Sequence, residues 1–223
     1  MIEFSVFKAI LKEAFPEVTD DQVEKYRQLE DLYKDWNSKI NVISRKDMDG
    51  IYDHHVLHSL AIAYYLKIRK PEEYSSMTAP DGGVRILDLG TGGGFPGIPL
   101  AILFPETRFL LCDSIRKKTT VASEVAGSLG LQNVEVANAR AESLPGKFDY
   151  VVSRAVASLS DFYPWVRGKY TKGILYLKGG EINEEISEMM ARFKMRKGSV
   201  STWPVTSWLQ DNYFEGKFVI NIL

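Results

Sequence analysis

Cysteine is nearly absent: Cys112 is the single one in 223 residues. A lone thiol cannot close an internal disulfide, and it fits a reducing compartment. No apolar run approaches the ~20 residues that a helical bilayer span requires. Glu3 interrupts the first apolar stretch with no basic segment before it, so no signal peptide is expected. Neither charge dominates. Lys+Arg number 28 against 29 Asp+Glu, a net charge of −1, so no global field draws the chain onto nucleic acid or membrane. Internal repeats and low-complexity tracts are missing too. What remains is an ordinary globular balance, 45% hydrophobic and 26% charged. The length suits one domain with a substantial extension, and a cytoplasmic protein with no membrane attachment is expected.

The chain changes character once. Phe4, Phe7, Ile10, Leu11, Ala14 and Phe15 recur at three and four, predicting an amphipathic helix that stops before Pro16. Thr19 or Asp20 then caps a long helix carrying Val23, Tyr26, Leu29, Leu32, Tyr33, Trp36 and Ile40 on one face. A third helix is predicted over 54–67. Segment 70–83 has two prolines, two glycines and no apolar period, and reads as a linker. The division is therefore 1–75, a helical extension, and 76–223, the main domain. From Val84 onward, β-branched or apolar runs at 84–90, 107–113, 133–139, 148–153 and 173–178 alternate with helical stretches. That alternation predicts βαβ units and a parallel sheet covered on both faces. Residues 198–206 and 213–222 read as a closing antiparallel hairpin.

The densest signal is Asp88-Leu-Gly90-Thr-Gly92-Gly-Gly94-Phe95-Pro-Gly97, directly after the first strand. Glycines there let the backbone turn tightly and approach a ligand that a Cβ would block. Asp113 ends the second strand and can accept hydrogen bonds from both hydroxyls of a ribose. The site therefore suits an adenosine-containing cofactor, of which two classes compete. Gly92, Gly94 and Gly97 satisfy the dinucleotide pattern, but Pro96 and Pro99 remove amide donors that a pyrophosphate would use. S-adenosylmethionine carries no phosphate. Its amino group, or a water on it, can meet Asp88, and its carboxylate can meet glycine amides. This second class is favoured.

Asn138-Ala-Arg-Ala141-Glu142 follows the third strand, where an adenine edge would lie. A helix start with an acid near its dipole is the plain alternative. After the fourth strand, where the methyl group would face, stands Ser153-Arg154-Ala-Val-Ala-Ser158. The Asn/Asp-and-proline grip on an exocyclic amine is missing. Carbon-5 methylation of a pyrimidine needs a cysteine nucleophile, and Cys112 lies on the second strand instead. Ribose O-methylation needs a base, and no acid follows this strand. What remains is an acceptor that already holds a lone pair, such as guanine N7, which needs alignment but no deprotonation. Arg154 and Ser153 can position it; a salt-bridged structural arginine is the plain alternative.

Together these segments resemble the bacterial small-subunit ribosomal RNA guanine-N7 methyltransferases, historically called glucose-inhibited division protein B. The resemblance runs over about 36–178. It rests on Trp36-Asn37, Asn41, His55, ILDLGTGGGFPGIPLAI, DSIRKK, ARAES and SRAVASL. It implies donor contacts from Gly90, Phe95, Ala141, Glu142 and Arg154, and a substrate in the decoding-region loop of 16S rRNA. One departure is His58, where the family usually has aspartate, so no role carries over to that position.

His54 and His58 stand at helical i, i+4 spacing but lack a third soft ligand, so no metal site is expected. Trp36, Tyr64 and Tyr65 read as core or interface, and Cys112 as a packed strand residue. Arg116-Lys117-Lys118 is the basic cluster best placed for RNA, because it follows Asp113 at the cofactor edge. Clusters at Arg167 to Lys172 and Arg192 to Lys197 are weaker candidates. The expected fold is α/β, a Rossmann-like class I methyltransferase domain. It comprises a mostly parallel seven-stranded sheet, an antiparallel C-terminal hairpin and N-terminal helices. Gly90, Gly92, Gly94 and Phe95 are expected to shape the donor loop. The expected activity is methyl transfer from S-adenosylmethionine to guanine N7 in 16S rRNA, within a small-subunit particle and with no obligate protein partner. Rivals are a small-molecule methyltransferase and a donor-binding sensor.

Overall fold

The alternating pattern after Val84 becomes a seven-stranded sheet in the computed structural model, which describes residues 1–44 and 47–223. In chain order the strands are β1 (Arg85–Leu89), β2 (Arg108–Asp113), β3 (Val134–Asn138), β4 (Phe148–Arg154), β5 (Tyr170–Gly179), β6 (Val200–Pro204) and β7 (Lys217–Ile222). Their order across the sheet is β3-β2-β1-β4-β5-β7-β6. The first five run parallel, while β7 inserts antiparallel between β5 and β6, as the hairpin signal predicts. The order reverses at β1 and β4. Ligands bind beyond the carboxyl ends of the strands at such a switch point.

Because side chains alternate along a strand, each strand feeds both faces. Ile86, Leu111, Val152, Leu175 and Leu177 join one buried cluster. Leu87, Cys112, Val151, Ile174 and Tyr176 join the other. Helices α7 (Leu159–Val166) and α8 (Ile182–Arg192) cover the second face. The first face receives α1 (Phe4–Ala14), α2 (Asp20–Lys39), α3 (His58–Arg69), α4 (Pro71–Thr78), α5 (Gly97–Leu103) and α6 (Arg116–Ser128).

Helix α2 begins as its sequence dictates. Thr19 Oγ1 accepts from the Gln22 amide at 3.2 Å, and Gln22 Oε1 accepts from the Thr19 amide at 2.8 Å, a reciprocal capping box. The same Gln22 then donates to the carbonyls of Ile102 (2.7 Å) and Leu103 (3.1 Å), satisfying the free C-terminal end of α5. Tyr26 donates to Pro99 O and Tyr33 to Gly93 O, both at 2.7 Å. The long N-terminal helix thus braces the glycine loop and the helix that follows it.

Two expectations need correction. Segment 70–83 is no linker, since α4 forms within it. Pro71 opens that helix, where its missing amide costs nothing, and Tyr74 and Met77 share its buried face. The third helix also starts earlier than 54. A π-helical turn over Ile51–Leu57 runs straight into α3, and wide turns of this kind carry no sequence period.

Candidate functional site

A cavity of about 560 Å³ opens at the carboxyl ends of β1, β2 and β4. Its walls include Gly90 after β1, Asp113, Ser114 and Lys118 after β2, Ala141 and Glu142 after β3, and Arg154 and Val156 after β4. Sequence reasoning named Gly90, Asp113, Ala141, Glu142 and Arg154 as donor contacts, and the fold brings all five to one space.

Asp113 is held rigidly at the end of β2. Its Oδ2 accepts from the Gly92 amide at 3.0 Å, and its Oδ1 accepts from the Ile115 amide at 2.8 Å. A carboxylate offers about four lone-pair sites, so two remain to receive hydroxyl donors. Gly92 therefore serves by orienting Asp113.

Like Gly92, the expected donor-site residues Asp88, Gly94 and Phe95 stand outside the cavity lining. Asp88 lies fully buried under the loop, where Oδ2 accepts from the Thr91 hydroxyl (2.6 Å) and the Gly97 amide (2.8 Å). A Cβ at Gly97 would come within 2.6 Å of that oxygen, so glycine permits the contact. Gly94 faces Ile98 and Tyr33, while Phe95 is 4% exposed and packs on Tyr33 and His55. All three residues shape the loop from behind. Burial raises the Asp88 carboxyl to about 7, with the Thr91 and Gly97 hydrogen bonds opposing the rise. Over the window from its ordinary value of 3.8 up to about 7, the folded chain binds more protons at this site than the unfolded chain. This group therefore makes stability fall as pH rises through that window. Asp88→Asn keeps an acceptor for both donors but cannot ionise. Melting at about pH 5 and about pH 8 should show a smaller pH-dependent loss in the variant than in the parent. Parallel losses would place the Asp88 charge elsewhere in the balance.

The loop after β4 carries the least ordinary backbone. Ala155 sits at φ 48°, a left-handed value that costs a non-glycine residue energy. Tyr176 of β5 holds the loop in that shape. Its hydroxyl accepts from the amides of Val156 (2.9 Å) and Ala157 (3.1 Å) and donates to Ala157 O (2.9 Å). Lys178 Nζ donates to the same carbonyl at 3.1 Å. Ser153, expected to help position an acceptor, is instead buried and donates to Leu89 O at 2.7 Å.

Arg154 points from the end of β4 into the cavity wall. Nη1 donates to His54 O (3.4 Å), Nη2 meets His55 Nδ1 (2.9 Å), and the guanidinium lies 5.1 Å from the Phe95 ring centre. These partners are all neutral, and among the described residues no carboxylate pairs with it. The salt-bridged arginine considered from sequence is not what the fold contains.

Lys118, expected on an RNA surface, lines the cavity, with Arg116 and Lys117 exposed beside it. Arg140 and Trp165 are further wall residues that went unread in the sequence. A tryptophan seventh in the eight-residue α7 carries no signal that separates wall from core. His54 and His58 take aromatic partners. His54 stacks on Tyr213 at 3.6 Å, and His58 meets Phe214 edge-on at 6.0 Å. Cys112 is buried, with Sγ 3.3 Å from Ala139 O, and burial pushes its thiol up to about 11. It is a packed strand residue.

Known proteins are similar in sequence and in fold. The family model described as "GidB: rRNA small subunit methyltransferase G" matches residues 22–212. A ribosomal RNA small subunit methyltransferase G from Flavobacterium psychrophilum is 47% identical, over 93% of this chain and 94% of that protein. Another, from Bacteroides thetaiotaomicron, is 50% identical over 79% of this chain and 84% of its own. Among solved structures, magnesium protoporphyrin IX methyltransferase from Synechocystis PCC 6803 with bound SAM superposes with a TM-score of 0.60. It is 13% identical and covers 92% of this chain and 97% of its own, a likeness of fold alone.

Proposed function

The chain belongs to the GidB family of small-subunit rRNA methyltransferases, and from that premise we propose that it transfers a methyl group from S-adenosylmethionine to N7 of a guanine in 16S rRNA. The observation that carries the reading is that the matched span, 22–212, contains every wall of the cavity.

The cavity suits the donor's three polar ends. Asp113 keeps lone pairs for ribose hydroxyls. The short helical turn Ala141–Ser143 presents backbone to an adenine edge. Arg154, which among the described residues has no directly paired carboxylate, would meet the donor's carboxylate. When bound, the donor supplies a methyl group activated on a sulfonium. Guanine N7 holds its lone pair before attack, so the chain's task is alignment and electrostatics with no proton to remove. Arg154 at one end of the cavity and Asp113 at the other would fix the donor's direction toward the incoming base.

Lys118 at the cavity wall and the exposed Arg116 and Lys117 beside it bind phosphates of the rRNA. With a net charge of only −1 over the whole chain, this local patch is a weak clamp. Shape in an assembled small-subunit particle therefore supplies much of the recognition, and the protein acts in the cytoplasm. Among the described residues, no helix is long and apolar enough to cross a membrane.

Salt tests this directly. Turnover on small-subunit particles should fall steeply with salt, by a log–log slope of about 0.7–0.9 for each phosphate contact. Lys117→Ala should flatten that slope and raise the KM for RNA, with donor affinity unchanged. A flat response in the parent chain would argue for a small-molecule acceptor. Equal rates on short unstructured oligonucleotides would contradict the particle requirement.

A further inference from the structure

Arginine side chains that leave water usually do so beside a carboxylate. Arg154 does not. Its guanidinium is fixed by the His54 carbonyl, by Phe95 and by His55, and among the described residues none of these partners is an acid.

The His55 contact is chemically one-directional. A guanidinium has only N–H donors, so the Nδ1 that lies 2.9 Å from Nη2 must accept. The ring is then neutral, with its hydrogen on Nε2, and Nε2 is buried with no partner among the described residues. A protonated imidazole would turn Nδ1–H against an arginine donor. Burial and the Arg154 charge beside it hold His55 down at about 3, so the neutral form persists. The ring is itself seated, 5.2 Å from Phe95, which in turn packs on Tyr33 of α2. His55 stands in the π-helical turn Ile51–Leu57, an element far in sequence from the donor loops.

On the reading that this cavity seats S-adenosylmethionine, we infer that His55 is a positioning residue, whose neutral imidazole accepts from Arg154 and aims a guanidinium with no directly paired carboxylate at the donor's carboxylate. A carboxylate placed at this position would hold Arg154 as firmly but cancel the charge that the donor needs. A neutral acceptor fixes direction and leaves the charge intact. This accounts for an imidazole in a place where an ion pair would be the common solution.

The test separates the acceptor from the bulk of the ring. His55→Asn sets an amide oxygen near the place of Nδ1, and His55→Gln sets its amide near Nε2. His55→Ala removes both. Binding of S-adenosylhomocysteine to the full chain is read by calorimetry, and the KM for rRNA is measured alongside. His55→Ala should weaken binding about tenfold or more, the range for a lost hydrogen bond to a charged group. Asn should restore most of the affinity and Gln little, while the KM for rRNA stays put. Parent-like binding by the Ala variant would overturn the inference, and so would equal affinities of the Asn and Gln variants. That pair remains decisive even where the Ala variant fails to fold. Failure of the parent chain to bind S-adenosylhomocysteine is a separate result, which would overturn the donor reading and this inference with it.

Discussion

Arg154→Ala should lower methyl transfer by well over tenfold while the protein stays folded. Tenfold corresponds to about 1.4 kcal/mol of transition-state stabilisation, a modest demand on the sole cation that the β4 loop brings to the cavity. The stability half of the expectation follows from the partners. Removing one side of a buried ion pair strands the other charge and costs several kcal/mol. Here the direct partners are a backbone carbonyl, an imidazole nitrogen and an aromatic face; no paired carboxylate is stranded, and Asp88 loses only a more distant favourable charge. The melting temperature should move by a few degrees at most, while kcat/KM collapses. Unchanged turnover would remove Arg154 from the site. A parallel collapse of stability would make it a structural residue.

Gly90→Ala should be worse for donor binding than its size suggests. Gly90 sits at φ 71°, and a Cβ there would lie 2.4 Å from Val156 Cγ2. Left-handed backbone costs alanine about 1–2 kcal/mol, and an overpacked contact costs about 1–3 kcal/mol more. The least-supported neighbour yields first. Val156 is 39% exposed and stands next to Ala155, already held in a strained conformation by Tyr176. The loop after β4 should therefore shift, carrying Arg154 out of line. Affinity for S-adenosylhomocysteine should fall about a hundredfold, with the retained backbone cost lowering the melting temperature by several degrees. Binding within threefold of the parent would show that the two loops move independently.

Much of this was legible in the sequence because parallel α/β structure writes long, periodic signals. The strand–helix alternation from Val84, the final hairpin and the acid ending β2 all appear where the pattern puts them. What escaped notice depends on contacts between distant segments. Helix α4 has only eight residues, too few to show a period. It is stabilised by Tyr74 stacking near Phe15 and by Thr107 donating to Met77 O. Asp88 reads from sequence as a donor contact, and its place under the loop was not legible there. Its true partners, Thr91 and Gly97, are three and nine residues away and visible only after the loop closes. Tyr176 reads as an apolar strand residue until its hydroxyl is seen holding three backbone groups. The donor pocket's rim could be read; the buried supports that give it shape could not.

The central claim is tested most directly by incubating the protein with labelled S-adenosylmethionine and small-subunit rRNA lacking the modification, both free and in particles. The RNA is then digested and its nucleosides are resolved by mass spectrometry. Label should appear in 7-methylguanosine, with particles the better substrate. Label in another nucleoside, or none on RNA despite donor binding, would contradict the claim.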